Sequence, residues 1–318
     1  MSRLWLVLIT IIVAASGTEP ASGTEPASGT EPDGASLEPG ALPQSWRSSG
    51  PLCAAVPEWQ VHEYNSDFYI LRESGCINYE KPFLYLIFGQ EKVLLEDTGA
   101  GNVKTADFVT SFVEKWAQRK GRPAPRIVVI HSHGHGDHTA GDKDFEKLPG
   151  VQFVAATPAA VRQAAGIAQW PTDTGHIDLG GRILDIVPIP GHQAASIAIY
   201  DRRTGNLLTG DSLYPGRLYV ADFPAFTASA IRLEEFVGTR PVAHVLGTHI
   251  EQMRTPYRDY PRGTAYQPEE SDLELSRAHI LELAAAFRSL NGKPGKVALS
   301  QFTITPPAPP PPGREHLQ

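Results

Sequence analysis

The strongest constraint on this 318-residue chain is a dense run of histidine and aspartate directly after an apolar segment. The apolar residues Arg126 to His131 predict a β-strand, and the run His133-Gly-His135-Gly-Asp137-His138 begins two residues beyond its end. Zinc accepts imidazole nitrogen and carboxylate oxygen as ligands, and the interleaved glycines leave the backbone free to curl. Taken alone, the run fits either a metal site at the end of a strand or a solvated, His-rich turn.

Three later segments favour the metal site. His192 follows Pro-Gly, Asp211 follows Thr-Gly and His249 follows Gly-Thr, and each stands at the end of an apolar strand candidate. A solvated turn would explain the first run but none of these. The sequence therefore predicts that side chains from distant segments gather around bound metal.

Taken in order, the four motifs resemble those of the metallo-β-lactamase superfamily from Leu84 to His249. The resemblance implies an α/β fold, an αββα four-layer sandwich of two mixed β-sheets with helices outside and the metal site at one edge. It implies two metal ions, two Zn²⁺ or else iron or manganese. The implied ligands are His133, His135 and His192 for the first ion, Asp137, His138 and His249 for the second, and Asp211 as a bridge between them.

Such a pair of ions implies an enzyme, a hydrolase that attacks a small-molecule substrate with a hydroxide held between the metals. An aspartate at position 211 resembles the glyoxalase II and lactonase branches, whose substrates are thioesters, lactones or esters. Glyoxalase II has a larger helical C-terminal region than this chain, so we expect an ester or lactone here before a glutathione thioester. The alternatives are a β-lactamase-like amidase, a mononuclear iron sulfur dioxygenase and a non-catalytic metal-binding module.

Other residues near the motifs are candidates for supporting roles. Asp97, in a DTG turn at the end of a strand candidate, is expected to orient a ligand histidine, with a plain turn cap as the alternative. Tyr214 has the spacing from Asp211 at which similar lactonases place a substrate-contacting tyrosine. It would either donate to the developing oxyanion or line the pocket, and Tyr219 would serve as well. Asp137 is a candidate for passing a proton to the leaving group.

The remaining histidines carry no metal spacing. His131 is expected to be structural or to support a ligand residue, with direct ligation as the alternative. The others are expected to be solvated or ordinarily hydrogen-bonded: His62, His176, His244, His279 and His316. A loop rich in Tyr, Arg and Pro runs from Met253 to Pro268, directly after a predicted ligand. We expect it to form a wall of the substrate pocket.

The chain ends differ from the middle in composition. Arg3 and the apolar run Leu4 to Ala15 predict a signal peptide over residues 1–17 and a secreted or periplasmic protein, with an uncleaved anchor as the alternative. No second such run follows, so no membrane span is expected after signal removal. SGTEPA repeats predict a disordered linker over residues 18–50, then one hydrolase domain over 51–302 and a disordered Pro-rich tail over 303–318.

Charge and cysteine content narrow the remaining possibilities. A net charge of −7 and a pI near 5.9 lack the basic excess that nucleic acid requires, so no nucleic-acid partner is expected. Cys53 and Cys76 would form a disulfide in an exported protein or stay as buried thiols, and the sequence leaves both open. Oligomeric state is not predicted.

Apolar periodicity also predicts individual elements. The predicted strands are Leu84–Phe88, Lys92–Glu96, Ile127–His131, Val151–Ala155, Ile183–Val187, Ser196–Tyr200 and Val242–Leu246. The predicted helices are Thr105–Ala117, Pro158–Ala165, Thr227–Val237 and Glu270–Leu290.

Overall fold

The computed structural model describes residues 36–47, 49, 50 and 53–306. The predicted signal peptide, the SGTEPA array, His316 and most of the predicted tail lie outside these residues. Among the described residues, no helix has the length and apolar character needed to cross a membrane.

Strands and helices alternate along most of the described chain. The strands are β1 (Trp59–Asn65), β2 (Phe68–Glu73), β3 (Phe83–Phe88), β4 (Lys92–Glu96), β5 (Arg126–Ile130), β6 (Gln152–Phe153), β7 (Gly175–Asp178), β8 (Ile183–Pro188), β9 (Ile197–Asp201), β10 (Leu207–Gly210), β11 (Gly216–Tyr219), β12 (Val245–Gly247), β13 (Glu274–Leu275), β14 (Val297–Ala298) and β15 (Phe302–Thr305). The helices are α1 (Thr105–Lys120), α2 (Gly136–Thr139), α3 (Asp142–Phe145), α4 (Pro158–Ala165), α5 (Phe223–Gly238) and α6 (Arg277–Ser289), with a 3₁₀ turn at Cys53–Ala55.

Two mixed β-sheets form the framework. The first has the order β1-β2-β3-β4-β5-β6, antiparallel from β1 to β4 and parallel from β4 to β6. The second has the order β13-β12-β10-β9-β8-β7, in which β10 and β12 are the parallel pair. A small third sheet, β11-β15-β14, lies beside α5 and α6 in the hydrophobic core.

The central strands of both main sheets bury both of their faces, whereas the outer strands β1 and β7 alternate between buried and more exposed residues. In β3, Phe83, Tyr85 and Ile87 belong to a core shared with the second sheet, while the alternate residues pack with α1. In β9, Ile197 and Ile199 enter the shared core, and the alternate residues pack with α5 and α6. Helix, sheet, sheet and helix therefore form four layers, and the predicted αββα sandwich is confirmed.

Two helices begin later or earlier than predicted. Helix α5 starts at Phe223 because the Asp222 carboxylate accepts a hydrogen bond from Ala225 N at 3.0 Å and Pro224 occupies the first turn. Helix α6 starts at Arg277 and not at Glu270. The residues assigned to its first turns form β13 instead, which pairs with β12.

The domain is longer at both ends than residues 51–302. Part of the predicted linker packs on it, since the Trp46 ring lies 4.9 Å from the Phe83 ring and Ala41 N donates to Tyr64 O at 2.9 Å. Part of the predicted tail forms β15, which pairs with β11 and buries Phe302 and Ile304. Burial of these apolar side chains stabilises both segments, although the polar and Pro-rich composition around them had predicted disorder.

Cys53 and Cys76 form a disulfide, with Cα atoms 5.5 Å apart. This decides the question that the sequence left open. The bond ties the residues before β1 to the segment between β2 and β3. That segment continues to Glu80 and Lys81, which lie next to the candidate site described below.

Candidate active site

The seven residues predicted as metal ligands stand at the ends of four strands and converge in space. They follow β5 (His133, His135, Asp137 and His138), β8 (His192), β10 (Asp211) and β12 (His249). Their ligand atoms form two groups, and within each group all lie within 4.8 Å of one another. The first group is His133, His135, His192 and Asp211, and the second is Asp137, His138, Asp211 and His249. The grouping is the one that the sequence resemblance implies, and the ligand roles themselves stay a prediction.

Two of the glycines before these residues permit close backbone packing. Gly191 has φ 141°, and a Cβ there would lie 2.4 Å from the Cα of Phe226 in α5. Gly210 has φ 51°, and a Cβ there would lie 2.8 Å from the Cβ of Ser132. A larger residue would displace the segments that carry His192 and Asp211.

Asp211 lies between the two groups and turns one oxygen towards each. Its Oδ2 lies 3.7 Å from His133 Nε2 and 3.5 Å from His192 Nε2. Its Oδ1 lies 3.6 Å from His138 Nε2 and 3.4 Å from His249 Nε2. This is the arrangement expected of a carboxylate that bridges two ions.

Four histidines turn one ring nitrogen towards the centre, while the opposite ring nitrogen is hydrogen-bonded outwards. The outward Nδ1 bonds run from His133 to Ser132 Oγ (3.1 Å), His138 to Asp97 Oδ2 (2.8 Å), His192 to the Tyr219 carbonyl (2.8 Å) and His249 to the Glu80 carbonyl (3.0 Å). Each bond fixes the ring orientation and the tautomer. The inward nitrogens face carboxylate oxygens and one another, a set of donors that a bound metal ion would satisfy.

The donor spacing fits a metal ion. His135 Nδ1 lies 2.9 Å from His133 Nε2 and 3.0 Å from His192 Nε2. In the second group, Asp137 Oδ2 lies 3.3 Å from His249 Nε2 and 3.4 Å from His138 Nε2. Ligands held about 2.0 to 2.1 Å from one ion at tetrahedral angles lie roughly 3.4 Å apart. Imidazole and carboxylate together suit zinc, and iron and manganese as well.

Charges at the centre shift several pKa values. Burial lowers the pKa of His133 well below its usual value, and His138 adds to this. Burial would raise the pKa of Asp211, but the imidazoles of His249 and His138 outweigh it and hold this pKa well below its usual value. For His249, Asp211 and Asp137 outweigh burial and raise the pKa to about 9. A proton and a metal ion thus compete for the His249 nitrogen.

Asp97 is fully buried and supports two of the histidines. It has φ 68°, a left-handed conformation that aspartate tolerates better than most residues. Its carboxylate accepts from His138 Nδ1 at 2.8 Å and from Ser132 N and Oγ at 2.8 and 2.7 Å. Because Ser132 Oγ in turn accepts from His133, these contacts favour the orienting role over a plain turn cap.

Asp97→Asn is expected to weaken metal affinity or kcat/KM by roughly 10- to 100-fold, since the amide replaces a carboxylate oxygen that accepts from both Ser132 and His138. Competition titration with a chromophoric chelator measures the first effect and initial rates measure the second. Asp178→Asn, at an exposed carboxylate of β7, is the matched control. Wild-type metal affinity and turnover in Asp97→Asn would contradict the orienting role.

A cavity of about 390 Å³ opens over five of the predicted ligands, a size suited to a small molecule. The rest of its wall includes Glu80, Tyr214, Tyr219, Glu251 and Arg262. The Met253 to Pro268 loop thus contributes Arg262 to the wall, as predicted. No sequence signal distinguished Glu251 or Arg262 from other surface charges.

Tyr214 lines this cavity, but its hydroxyl is engaged elsewhere. The hydroxyl lies 2.5 Å from the Arg217 carbonyl, to which it donates, and 3.2 Å from Glu251 Oε2. Since a phenol has a single hydrogen to donate, this geometry favours the pocket-lining interpretation over donation to an oxyanion. Burial raises the pKa of Tyr214 well above its usual value, so the phenol stays protonated.

Of the other predicted residues, Asp137 lies within a ligand group and His131 lies outside both groups. Asp137 belongs to the second ligand group and also lines the cavity. Although burial raises its pKa, His138 and His249 outweigh this and hold it below the usual range, so Asp137 stays ionised and is poorly suited to donate a proton to a leaving group. His131 lies outside both groups and is bonded to Asp142 Oδ1 at 2.8 Å.

The histidines without metal spacing also lie outside both groups, as far as the structure describes them. His62 is bonded to the Ala41 carbonyl and His279 to Ser276 at the start of α6. Two supporting residues went unrecognised in the sequence although each adjoins a ligand. They are Ser132 and Thr248, whose Oγ1 donates to Asp211 Oδ1 at 2.5 Å.

Known proteins match this chain at three levels. The family model for the metallo-beta-lactamase superfamily matches residues 81–285. Acyl-coenzyme A thioesterase MBLAC2 of Homo sapiens is 25% identical over 214 residues, covering 57% of this chain and 74% of that protein. The hydroxyacylglutathione hydrolase of Erythrobacter litoralis is 26% identical over 144 residues, covering 44% of this chain and 56% of that protein.

Solved structures agree on the fold. The metallo-beta-lactamase from Pontibacter korlensis superposes with a TM-score of 0.50 at 16% identity, covering 72% of this chain and 99% of that one. The family match spans well over half of the chain and includes all seven predicted ligands. The chain therefore belongs to the metallo-beta-lactamase superfamily and has the fold of its metal-dependent hydrolases.

Proposed function

We propose that this protein is a hydrolase with two metal ions that cleaves an ester or thioester of a small molecule. The observation that carries the proposal is the position of Asp211. Its two oxygens face separate histidine groups at the floor of a cavity of about 390 Å³. A structural ion would be enclosed by its ligands, whereas these groups border an open space for substrate.

The chemistry of the relatives broadens the substrate class expected from sequence. An acyl-coenzyme A thioesterase and a hydroxyacylglutathione hydrolase both act on thioesters, so thioesters stand beside esters and lactones in this proposal. Similarity to β-lactamases concerns the fold only and does not favour an amide.

The residues supply orientation and charge. When bound, two divalent ions at such a site supply Lewis-acid activation of a water molecule and of a carbonyl group. His133, His135, His192 and Asp211 would hold one ion, and Asp137, His138, His249 and Asp211 the other. The Asp137 carboxylate borders the cavity, and its lowered pKa keeps it ionised, as a ligand of the second ion would need to be.

We expect zinc-loaded protein to hold about two ions per chain and to hydrolyse 4-nitrophenyl acetate and an acetyl thioester, because the site has two complete ligand groups. Chelation should reduce both rates to background and added Zn²⁺ should restore them. Elemental analysis and initial rates are the measurements. The same assay with iron or manganese identifies the metal that supports turnover best.

Other results would favour the alternatives. Faster cleavage of a chromogenic cephalosporin than of either ester would indicate an amidase. One iron per chain with oxygen uptake on a persulfide would indicate a sulfur dioxygenase. No turnover of any substrate by fully metal-loaded protein would leave a metal-binding module.

We further propose that the protein acts outside the cytoplasm, secreted or in a periplasm. The Cys53–Cys76 disulfide supports this, because disulfides persist in oxidising compartments. The apolar run Leu4 to Ala15 supports it independently. Cell fractionation with N-terminal sequencing tests it, and recovery of unprocessed protein in the cytosol would refute it.

A further inference from the structure

Two arginines in different environments lie near the catalytic cavity: Arg262 in its wall, and Arg217 bound to the wall residue Glu251. Arg217 is fully engaged, because Nη2 and Nε donate to the Glu251 carboxylate at 2.9 and 3.1 Å and Nη1 donates to the Tyr260 carbonyl at 2.9 Å. Arg262 borders the cavity and interacts with the Tyr79 hydroxyl and electrostatically with Glu80, and no carboxylate of the described residues forms an ion pair with it. Its guanidinium carbon lies 5.9 Å from the centre of the Tyr219 ring.

The backbone around Arg262 is held on both sides. Before it, the Tyr260 carbonyl accepts from Arg217, and the Tyr260 hydroxyl accepts from Glu269 N at 2.7 Å. After it, the Thr264 carbonyl accepts from Lys81 Nζ at 3.1 Å. Lys81 and Arg217 are themselves anchored on other segments. An otherwise exposed loop therefore presents a guanidinium that lacks a carboxylate partner at a defined place beside the predicted ligands.

From this arrangement we propose that Arg262 binds an anionic oxygen group of the substrate, a carboxylate or phosphate, at a distance from the bond that is cleaved. The inference rests on the proposed hydrolase function and deepens it by naming the substrate class. A guanidinium offers parallel N–H donors that match the two oxygens of such a group, and Tyr219 supports it from one side. The neighbouring Arg217 does not border the cavity and is held by Glu251 and the Tyr260 carbonyl.

Matched substrates test the proposal. Mono-4-nitrophenyl glutarate and 4-nitrophenyl butyrate share a reacting bond, but only the first carries a carboxylate. We expect Arg262→Ala to lower the ratio of kcat/KM for glutarate over butyrate by about tenfold or more, mainly through KM. Arg262→Lys should keep part of the preference. The exposed Arg258, on the same loop but outside the cavity wall, gives the control Arg258→Ala, which should keep the wild-type ratio.

A thioester pair distinguishes the two anions. Acetyl-coenzyme A carries phosphates, and the acetyl thioester of N-acetylcysteamine is neutral. A loss of preference in Arg262→Ala for the glutarate ester identifies a carboxylate subsite, and a loss for the coenzyme A ester identifies a phosphate subsite. Unchanged ratios in both pairs would overturn the proposal.

The hydrolase function and the anion subsite fail in different ways. If wild-type protein turns over neither glutarate nor butyrate ester, the hydrolase proposal fails on these probes, and calorimetric titration with monomethyl glutarate and with coenzyme A then tests the subsite alone. Binding of either anion that weakens about tenfold in Arg262→Ala supports it. Equal dissociation constants for both anions in wild type and variant overturn it.

Discussion

Asp211→Ala should leave at most one metal ion on each chain and lower kcat/KM by well over the roughly 10- to 100-fold expected for residues that merely orient ligands. The reason is that its two oxygens are the acceptors common to both histidine groups. Asp211 is also buried and receives a hydrogen bond from Thr248, so its position is set before any ion binds. Among the residues that the structure describes, Asp211 is the one carboxylate shared by both groups.

Elemental analysis of metal-loaded protein and initial rates measure this effect, with a thermal melt to show that the variant is folded. Asp144→Ala removes an exposed carboxylate from α3 and should behave as wild type. An Asp211→Ala protein that retains two ions and its turnover would refute the bridging assignment.

Arg182→Ala should lower the free energy of unfolding by about 3 to 5 kcal/mol. Arg182 is fully buried and donates to both Asp201 oxygens, at 3.1 and 2.5 Å. It also donates to the carbonyls of Asp67 and Phe88, at 2.8 and 3.0 Å. Phe88 ends β3 and Asp67 lies in the turn between β1 and β2 of the first sheet, whereas Asp201 ends β9 of the second. The variant therefore loses a link between the sheets and leaves a buried carboxylate without its counter-charge.

Chemical denaturation measures the change. The double variant Arg182→Ala/Asp201→Ala should be less destabilised than the sum of the two single variants, since the uncompensated charge is gone. Lys147→Ala, which breaks an exposed pair with Asp144, should change the free energy of unfolding by less than about 1 kcal/mol. A loss below about 1 kcal/mol in Arg182→Ala would contradict the argument.

The position of Arg182 separates stability from catalysis. It precedes β8 at the strand end opposite to the one that carries His192. The predicted ligands all follow the other ends of their strands. Partial loss of stability in Arg182→Ala is therefore expected without loss of metal from the folded fraction.

Elements with a single regular pattern were predictable from sequence. The predicted Lys92–Glu96 strand and Pro158–Ala165 helix coincide with β4 and α4. Strand β2 was missed because it ends in Arg72 and Glu73, two charges that suggest an exposed segment. In the structure both are buried, and Arg72 pairs with Glu270, 198 residues away, at 2.6 Å. The same contact explains why Glu270 does not begin α6.

The supporting contacts of the site were less predictable than the ligands. His192 and His249 are oriented by the backbone carbonyls of Tyr219 and Glu80. Because every residue has a backbone carbonyl, the amino-acid type does not reveal which residue will accept such a hydrogen bond. Asp97 was recognisable because its role requires a carboxylate at the end of a strand.

By itself the sequence determined the family, the layered fold that the family implies and the residues able to ligate metal, because strand ends, glycine turns and ligand types are local properties. Tertiary structure alone decided that the Tyr214 hydroxyl is occupied, that Cys53 and Cys76 pair and that Arg262 borders the cavity. Each of these contacts joins segments that are distant in the sequence. The packing of the two sheets brings those segments together, and local sequence patterns do not show which segments will meet.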